Sequence, residues 1–271
     1  MKDFNPVTFD YEDFIGENFK IVDKKGNTVS LEFNQVQKRF KKESESVCDI
    51  DILKARQQGF SSLITAIFTT DFMLRKNSNS VVVADVDENA EGLLGKVKLY
   101  IQSYEEKNKI KVPLKYNSTN RLYNPFMNTS YTIGTAKNTE FGRSKTITNL
   151  HLSEVAFYSN ITKIIAGAGQ AVVENGRKIL ETTANGFNDY KKFREESRQG
   201  TNGYRALFYR ASDFYSAEFL AKKKAELKEL FTQEYPETEM EAFLSSGQCY
   251  FDKDSLKQML LEIENAKGVF R

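Results

Sequence analysis

Histidine is almost absent from this chain: among 271 residues only His151 carries an imidazole, which excludes a metal centre built from a histidine cluster. Cysteine is nearly as scarce. Cys48 and Cys249 stand far apart and match no metal-ligand spacing, so they read as small buried residues suited to a reducing cytosol. An excess of one charge is missing too. With 39 basic and 37 acidic residues the net charge is +2, so any nucleic-acid contact has to come from local patches. No apolar run reaches transmembrane length and no signal peptide opens the chain. There is no internal repeat and no low-complexity stretch. These absences leave a soluble, intracellular protein as the expectation. At 40% hydrophobic residues the chain can bury one large domain, or a domain with a small appendage.

What is present centres on residues 53–63, Leu53-Lys54-Ala55-Arg56-Gln57-Gln58-Gly59-Phe60-Ser61-Ser62-Leu63. Before it, apolar Val47, Ile50, Ile52 and Leu53 predict a short strand. After it, Leu63, Ile64, Ala66, Ile67 and Phe68 have helical spacing, and the helix extends to about Leu74. Strand, polar loop with a glycine, then helix is the outline of a phosphate-binding loop, where backbone N–H groups and the helix dipole meet an anion. A strand-to-helix turn with no ligand has the same outline. The usual spelling ends Gly-Lys-Ser/Thr; here Gly59, Phe60 and Ser61 put phenylalanine in the lysine slot. Ser61 keeps the hydroxyl for Mg²⁺, with Ser62 as a substitute. Lys54 and Arg56 are the cations within the loop, and a loop that curls round phosphates brings Lys54 back to them.

Ahead of the loop, residues 1–30 read as an irregular lead-in with a hairpin around Lys24-Lys25-Gly26-Asn27. A helix opens over 31–40 with Asn34 as N-cap. In it Gln37 is either an exposed helix glutamine or an amide that reads an adenine edge. Beyond the loop helix, residues 80–85 form a continuous apolar run, suited to a strand buried on both faces of a parallel sheet. Residues 87–106 predict an amphipathic helix. Four lysines over 107–115 mark a solvated surface, with a DNA-backbone contact as the lesser alternative. Residues 130–135 predict a strand, and 138–146 a polar loop carrying Arg143.

The run 147–154 is an apolar-rich strand ending in Ser153-Glu154. In phosphate-loop ATPases such a strand ends in an acid that helps hold Mg²⁺ and a glutamate that polarises the attacking water. Glu154 fits the second role. Ser153 replaces the usual aspartate, so metal contact there runs through a hydroxyl or a water. A strand that ends in a surface glutamate is the plainer alternative. Residues 160–175 predict a helix, 178–183 a strand running into Ala184-Asn185-Gly186, and 204–209 a further strand. Residues 216–231 predict a charged helix, broken at Tyr235-Pro236 and resumed over 239–244. The tail over 252–266 is again helical.

Taken in order, these motifs resemble the ATPase domain of the large terminase subunit of tailed phages, across most of the chain. The resemblance rests on Asn34-Gln35-Val36-Gln37 as adenine motif and Lys54 to Ser61 as a deviant Walker A. It rests also on His151 to Phe157 as Walker B, Thr182-Thr183-Ala184-Asn185-Gly186 as coupling motif, and Glu234-Tyr235-Pro236 with Glu241-Ala242-Phe243 as lid. It implies an α/β phosphate-loop (ASCE-type) NTPase with a mainly parallel central sheet flanked by helices and a small helical lid. Residues 1–210 would be lead-in and ATPase core, and 211–271 the lid and the start of a linker. It implies ATP and Mg²⁺ as ligands. Gln37, Lys54, Arg56, Gln57, Gln58, Gly59, Phe60, Ser61 and Ser62 would bind nucleotide. Ser61, and Ser153 through water, would hold metal. Glu154 and a trans-acting Arg143 would be catalytic, with Thr183 and Asn185 as coupling residues. The implied partners are double-stranded DNA, a homo-oligomeric ring on the portal, the portal protein and the small terminase subunit. The implied setting is the cytoplasm of an infected bacterium, with the isolated domain monomeric. The family's second half is a nuclease, for which a chain ending at Arg271 leaves no room, so no DNA cutting is expected. A helicase or remodeller ATPase, and a non-enzymatic DNA-binding viral protein with a vestigial loop, are the alternatives.

Overall fold

The computed structural model describes residues 5–6, 8–45, 47–141 and 145–244, together with 259 and 262. Arg143, Cys249 and the tail helix expected over 252–266 lie outside the described residues, apart from the helical positions Met259 and Glu262. The lead-in is more regular than its polar sequence suggests. It forms α1 (Tyr11–Asn18), whose N-cap Asp10 accepts from the backbone N–H of Glu12 and Asp13. The expected hairpin follows as β1 (Lys20–Val22) and β2 (Thr28–Ser30), turning through Gly26 at φ +83°. Then α2 (Gln35–Glu43) starts behind a full capping box. Asn34 accepts from the N–H of Gln37, and the Gln37 side chain accepts from the N–H of Asn34.

The core alternates strands and helices. In chain order it comprises β3 (Asp49–Lys54), α3 (Phe60–Leu74), β4 (Asn79–Ala84), α4 (Asp87–Asn108), β5 (Tyr116–Asn117), β6 (Arg121–Asn124), β7 (Thr129–Thr135), β8 (Ile147–Ser153), α5 (Ile161–Gly167), β9 (Val172–Thr182), α6 (Asp189–Gln199) and β10 (Arg205–Tyr209). The eight-stranded sheet has the order β10-β3-β9-β8-β4-β7-β6-β5. Neighbours from β10 to β7 are parallel; β6 and β5 add antiparallel at the edge. This is an α/β fold with a mainly parallel sheet between helices.

Both faces are covered. On β4, Val82 and Ala84 join Ile52, Phe68 and Leu94 in one apolar cluster, while Val81 and Val83 join Leu150, Leu180 and Ile164 in the other. The unbroken valine run is thus explained by helices on each side, with about 1.5–3 kcal/mol for each fully buried valine. The parallel order also sets the site. The carboxyl ends of β3, β9 and β8 lie side by side, so residues at the tip of β9 stand between the loop after β3 and the acid after β8.

Some expectations needed correction. The helix expected over 160–175 ends at Gly167, and β9 begins at Val172. Glycines at 167 and 169 weaken the helix, and the β-branched Val172 and Val173 favour a strand. The helix α6 went unforeseen because its inward residues, Tyr190, Arg194 and Ser197, are polar or amphipathic and leave no apolar stripe. The short strands β5 and β6 were unforeseen as well. Cys48 is exposed rather than buried. The charged helix expected over 216–231 is split into α7 (Ala217–Leu227) and α8 (Phe231–Glu234), with Lys228 at φ +50° between them; α9 (Glu239–Leu244) follows as expected. Tyr235 packs with Ala55 and Ala211 beneath Tyr215, Phe219 and Phe231, and so rests this segment on the loop after β3. No helix among the described residues is long and apolar enough to cross a membrane.

Candidate nucleotide site

The loop between β3 and α3 is braced from below. Gly59 sits at φ +85°, and its carbonyl accepts from Gln37 Nε2 at 2.8 Å. Asn34 Nδ2 donates to the Gln58 carbonyl at 3.1 Å. The N-terminus of α2 therefore supports the last residues of the loop. Gln58 is buried and donates to the Arg210 carbonyl at 2.8 Å. Tyr215 donates its hydroxyl to the carbonyls of Arg56 and Gln57 at 2.8 and 3.2 Å. Phe60 turns inward, 1% exposed, against Phe40 and Tyr209 with ring centroids 5.7 and 4.6 Å away. The lysine slot is thus a core position, and its side chain cannot reach a ligand. The first-turn N–H groups of α3 have no intrahelical partners and remain as anion donors.

Charge gathers at the tips of β3, β9 and β8. Lys54, the last residue of β3, is 4% exposed. Its Nζ lies 3.3 Å from Glu154 Oε1 and 3.0 Å from Glu181 Oε2. Ser61 and Ser153 each donate a hydroxyl to Glu181 Oε1 at 2.7 Å. Glu154 takes a left-handed backbone at φ +58°, ψ +47°, a conformation that a non-glycine residue holds only under constraint. Its N–H donates to the Glu181 carbonyl at 2.7 Å, and its Oε2 accepts from Thr182 Oγ1 and the Thr183 N–H, both at 3.3 Å. These bonds turn the carboxylate back toward Lys54.

Burial and mutual charge set the ionisation of these groups. Burial pushes the Glu154 carboxyl up, against the pull of Lys54 and with help from Glu181. Burial acts the same way on Glu181, but Lys54, the neighbouring His151 ring and the hydrogen bond from Ser153 prevail and hold it well below the usual carboxylate range. For Lys54, burial disfavours the charge, but Glu154 and Glu181 outweigh it and hold the ammonium above its ordinary range. The cluster is a buried cation held between two acids. Above it opens a cavity of about 670 Å³, walled by Ser61, Ser153, Glu154 and Thr183, by Lys96 of α4, and by Arg56 and Glu234 on the lid side.

No protein-family model and no curated protein matches the chain. Solved structures do match. The Thermus phage P74-26 large terminase ATPase domain, in a variant with one arginine replaced by alanine, superposes with a TM-score of 0.60 at 15% identity, over 75% of this chain and 93% of that one. The HK97 bacteriophage large terminase gives 0.62 at 15% identity, over 80% of this chain and 50% of that one. The large terminase of a thermophilic bacteriophage, in complex with ATP-γ-S, gives 0.52 at 12% identity, over 70% of this chain and 47% of that one. The chain folds as a large-terminase ATPase domain does. At these identities the likeness is one of fold.

Within that terminase-like fold, the residues singled out from the sequence are placed as follows. Lys54, Ser61, Ser153, Glu154 and Thr183 come together. Ser62 is next to them and accepts from Lys96 Nζ at 3.0 Å. Arg56 points to α8, with its Nη1 3.0 Å from Glu234 Oε2 and its N–H on the Glu234 carbonyl. Gln57 is exposed at φ +58°. Gln37 spends one donor and one acceptor on the loop and the cap. Asn185 donates to the Ala156 carbonyl at 3.3 Å, two residues beyond Glu154, and not to the Glu154 carboxylate. Two members of the site escaped the sequence reading. Glu181 had a visible signal, being a lone acid inside the apolar strand run Ile179-Leu180-Glu181. Lys96 had none, since a lysine on an amphipathic helix normally faces water.

The donor set fits Mg²⁺: two hydroxyls and a carboxylate are hard oxygen groups, and they converge beside a helix N-terminus.

Proposed function

We propose that this chain is the ATP-hydrolysing motor domain of a phage large terminase, which drives double-stranded DNA into a prohead. The observation that carries the reading is Lys54, buried at the tip of β3 and held between Glu154 and Glu181 at the base of α3. A buried lysine with two acids beside an anion-ready helix start suits a polyphosphate far better than it suits a plain turn. Lys54 and the N–H groups of α3 bind the phosphates. Gln37 braces the loop and keeps one amide hydrogen for a base. Glu154 orients the attacking water and takes its proton. Ser61 with Ser153 and their neighbours would hold Mg²⁺, which would supply charge neutralisation at the phosphates.

Thr183, whose N–H touches Glu154, and Asn185 couple the state of the site to the lid, where Gln233 Nε2 donates to the Ala184 carbonyl between them at 3.0 Å. Arg143 acts in trans on the neighbouring subunit of a ring seated on the portal, with the small terminase subunit as a further partner. An ATPase assay on the chain, with Glu154→Ala as control and double-stranded DNA as stimulant, tests the reading. Turnover that Glu154→Ala abolishes supports it. No turnover by the parent would overturn it and leave a non-enzymatic DNA-binding role, and equal turnover by the variant would remove Glu154 from the chemistry.

A further inference from the structure

Ser153 leaves the metal side of this site without the acid that phosphate-loop ATPases place at the end of the Walker B strand. We infer that Glu181, one strand closer to the loop, supplies that missing carboxylate. The inference rests on the ATP reading above.

Glu181 pairs in register with Ser153 of β8 on one side and with Ile52 of β3 on the other. Paired residues of a parallel sheet project to the same face, so an acid at 181 stands about 4.8 Å from the Ser153 position, one strand spacing away. Its side chain ends where an acid on Ser153 would also end. Oε1 receives the hydroxyls of both Ser61 and Ser153 at 2.7 Å. These are the two groups that the loop and the Walker B strand offer to a metal. Oε2 has Lys54 Nζ at 3.0 Å but no well-directed hydrogen bond, although the side chain is 0% exposed. His151 Nε2 lies 3.4 Å from Oε1.

A carboxylate buried this deeply normally has its lone pairs fully matched. One whose Oε1 gathers two hydroxyls at a phosphate loop, each with lone pairs left over, is set up to hold a hard cation together with them, either as a ligand or through a bound water. A counter-ion to Lys54 accounts for Oε2 alone. It does not explain why Ser61 and Ser153 both converge on Oε1. The acid stands one strand tip away from the usual place, and the serine at that place helps to orient it.

The test reads metal binding rather than turnover. The full chain is mixed with a non-hydrolysable ATP analogue, and Mn²⁺ is titrated in by electron paramagnetic resonance; nucleotide affinity without metal is measured in parallel. Glu181→Gln is expected to weaken Mn²⁺ binding about 10–100-fold at nucleotide concentrations that the parallel titration shows to saturate the variant. Adding Ser153→Asp to Glu181→Gln returns the acid to the neighbouring strand and is expected to restore Mn²⁺ binding. Parent-like Mn²⁺ affinity in Glu181→Gln would overturn the inference. So would a double variant that melts cooperatively yet does not recover. If Glu181→Gln does not fold, the double variant decides alone, since it carries an acid only at 153. A parent that binds no nucleotide at any metal concentration would overturn the ATP reading itself, an outcome distinct from the others.

Discussion

Lys54 Nζ stands 3.3 Å from the Glu154 carboxylate, so the cation proposed for phosphate and the acid proposed for water are partnered to each other. On the proposed reading, incoming phosphate competes for that lysine and frees Glu154. Lys54→Ala should therefore weaken ATP binding by about 1.5–3 kcal/mol, the worth of a charged hydrogen bond, or roughly 10- to 150-fold in Kd. Arg56→Ala should weaken it less, because Arg56 is engaged by Glu234 and its side chain is 58% exposed. Isothermal titration of both variants checks the order. A larger loss in Arg56→Ala would move the phosphate cation to Arg56.

Glu154 should show itself in rate and in pH dependence. Removal of a positioned base lowers kcat by about 10²–10⁴-fold, with ATP affinity nearly unchanged because the group acts in the transition state. Burial raises its carboxyl above the ordinary 4.5, so the acid limb of kcat should have its midpoint above that value. The stability sign follows from the same shift. Below 4.5 the group is protonated in both states. As pH rises through the folded value the unfolded chain has already released its proton, so the folded state loses ground. Glu154→Gln removes that loss, and its melting temperature should gain on the parent as pH rises through the window. Glu181 has the opposite sign: its contribution is present above 4.5 and is lost as pH falls through its depressed folded value. Melting curves of parent, Glu154→Gln and Glu181→Gln from acid to neutral pH check both signs.

Gly59 is fixed by two separate constraints. Its φ of +85° disfavours a side chain, and a Cβ there would lie 2.8 Å from Gln37 Nε2. Gly59→Ala should cost about 1–2 kcal/mol from the left-handed backbone alone. It should also displace the Gln37 brace and weaken nucleotide binding. Gln37→Ala should weaken binding while leaving the backbone strain unchanged, so the stability loss in Gly59→Ala should exceed that in Gln37→Ala. Chemical denaturation of the two variants decides whether the backbone or the brace dominates.

Arg194 joins β3 to α9. It is 1% exposed, and its Nη1 lies 3.1 Å from Asp51 Oδ2 while Nη2 lies 2.6 Å from Glu239 Oε1. It also donates to the carbonyls of Asp51 and Leu207 at 2.7 and 2.9 Å. Arg194→Met leaves Asp51 as an uncompensated buried acid and should destabilise by about 3–5 kcal/mol. Glu239→Gln, at the more exposed end, should cost far less. Equal losses would place the weight of the network on Glu239.

Much of this was legible in the residues because local rules agreed with the global fold. Asn34 is an N-cap, the run at 80–85 is a two-faced buried strand, and the order of the motifs already set the loop after β3 and the acid after β8 apart as the places to look. What stayed hidden depends on adjacency between strands distant in sequence. Nothing local tells that β9 lies between β3 and β8, and only that order brings Glu181 to Ser61 and Ser153. Helix α6 stayed hidden because its inward face carries Arg194 rather than an apolar stripe. Phe60 was legible as a departure from the usual motif, but its burial against Tyr209 and Phe40 is a tertiary fact.

Lys96 provides a last test, through protons. It reaches from α4 to donate to Ser62 Oγ at 3.0 Å, and it lines the same cavity as Ser61 and Glu154. Burial pushes its pKa down, and the charge of Lys54 adds to the effect against the pull of Glu181. A polyphosphate entering the cavity brings negative charge beside it, which favours the ammonium and moves the pKa back up. At a pH above the depressed value, nucleotide binding should therefore be accompanied by proton uptake. Far below that value Lys96 is charged beforehand and contributes no uptake. The measurement is calorimetric titration of an ATP analogue in buffers of different ionisation enthalpy, whose slope gives the number of protons exchanged. Lys96→Met should remove the uptake assigned to it while keeping the length and apolar stem of the side chain. Unchanged uptake in Lys96→Met would mean that another group accepts the proton and that Lys96 only anchors Ser62 to α4. Lost uptake together with weaker binding would identify Lys96 as a second cation of the phosphate site, one that sequence spacing alone does not reveal.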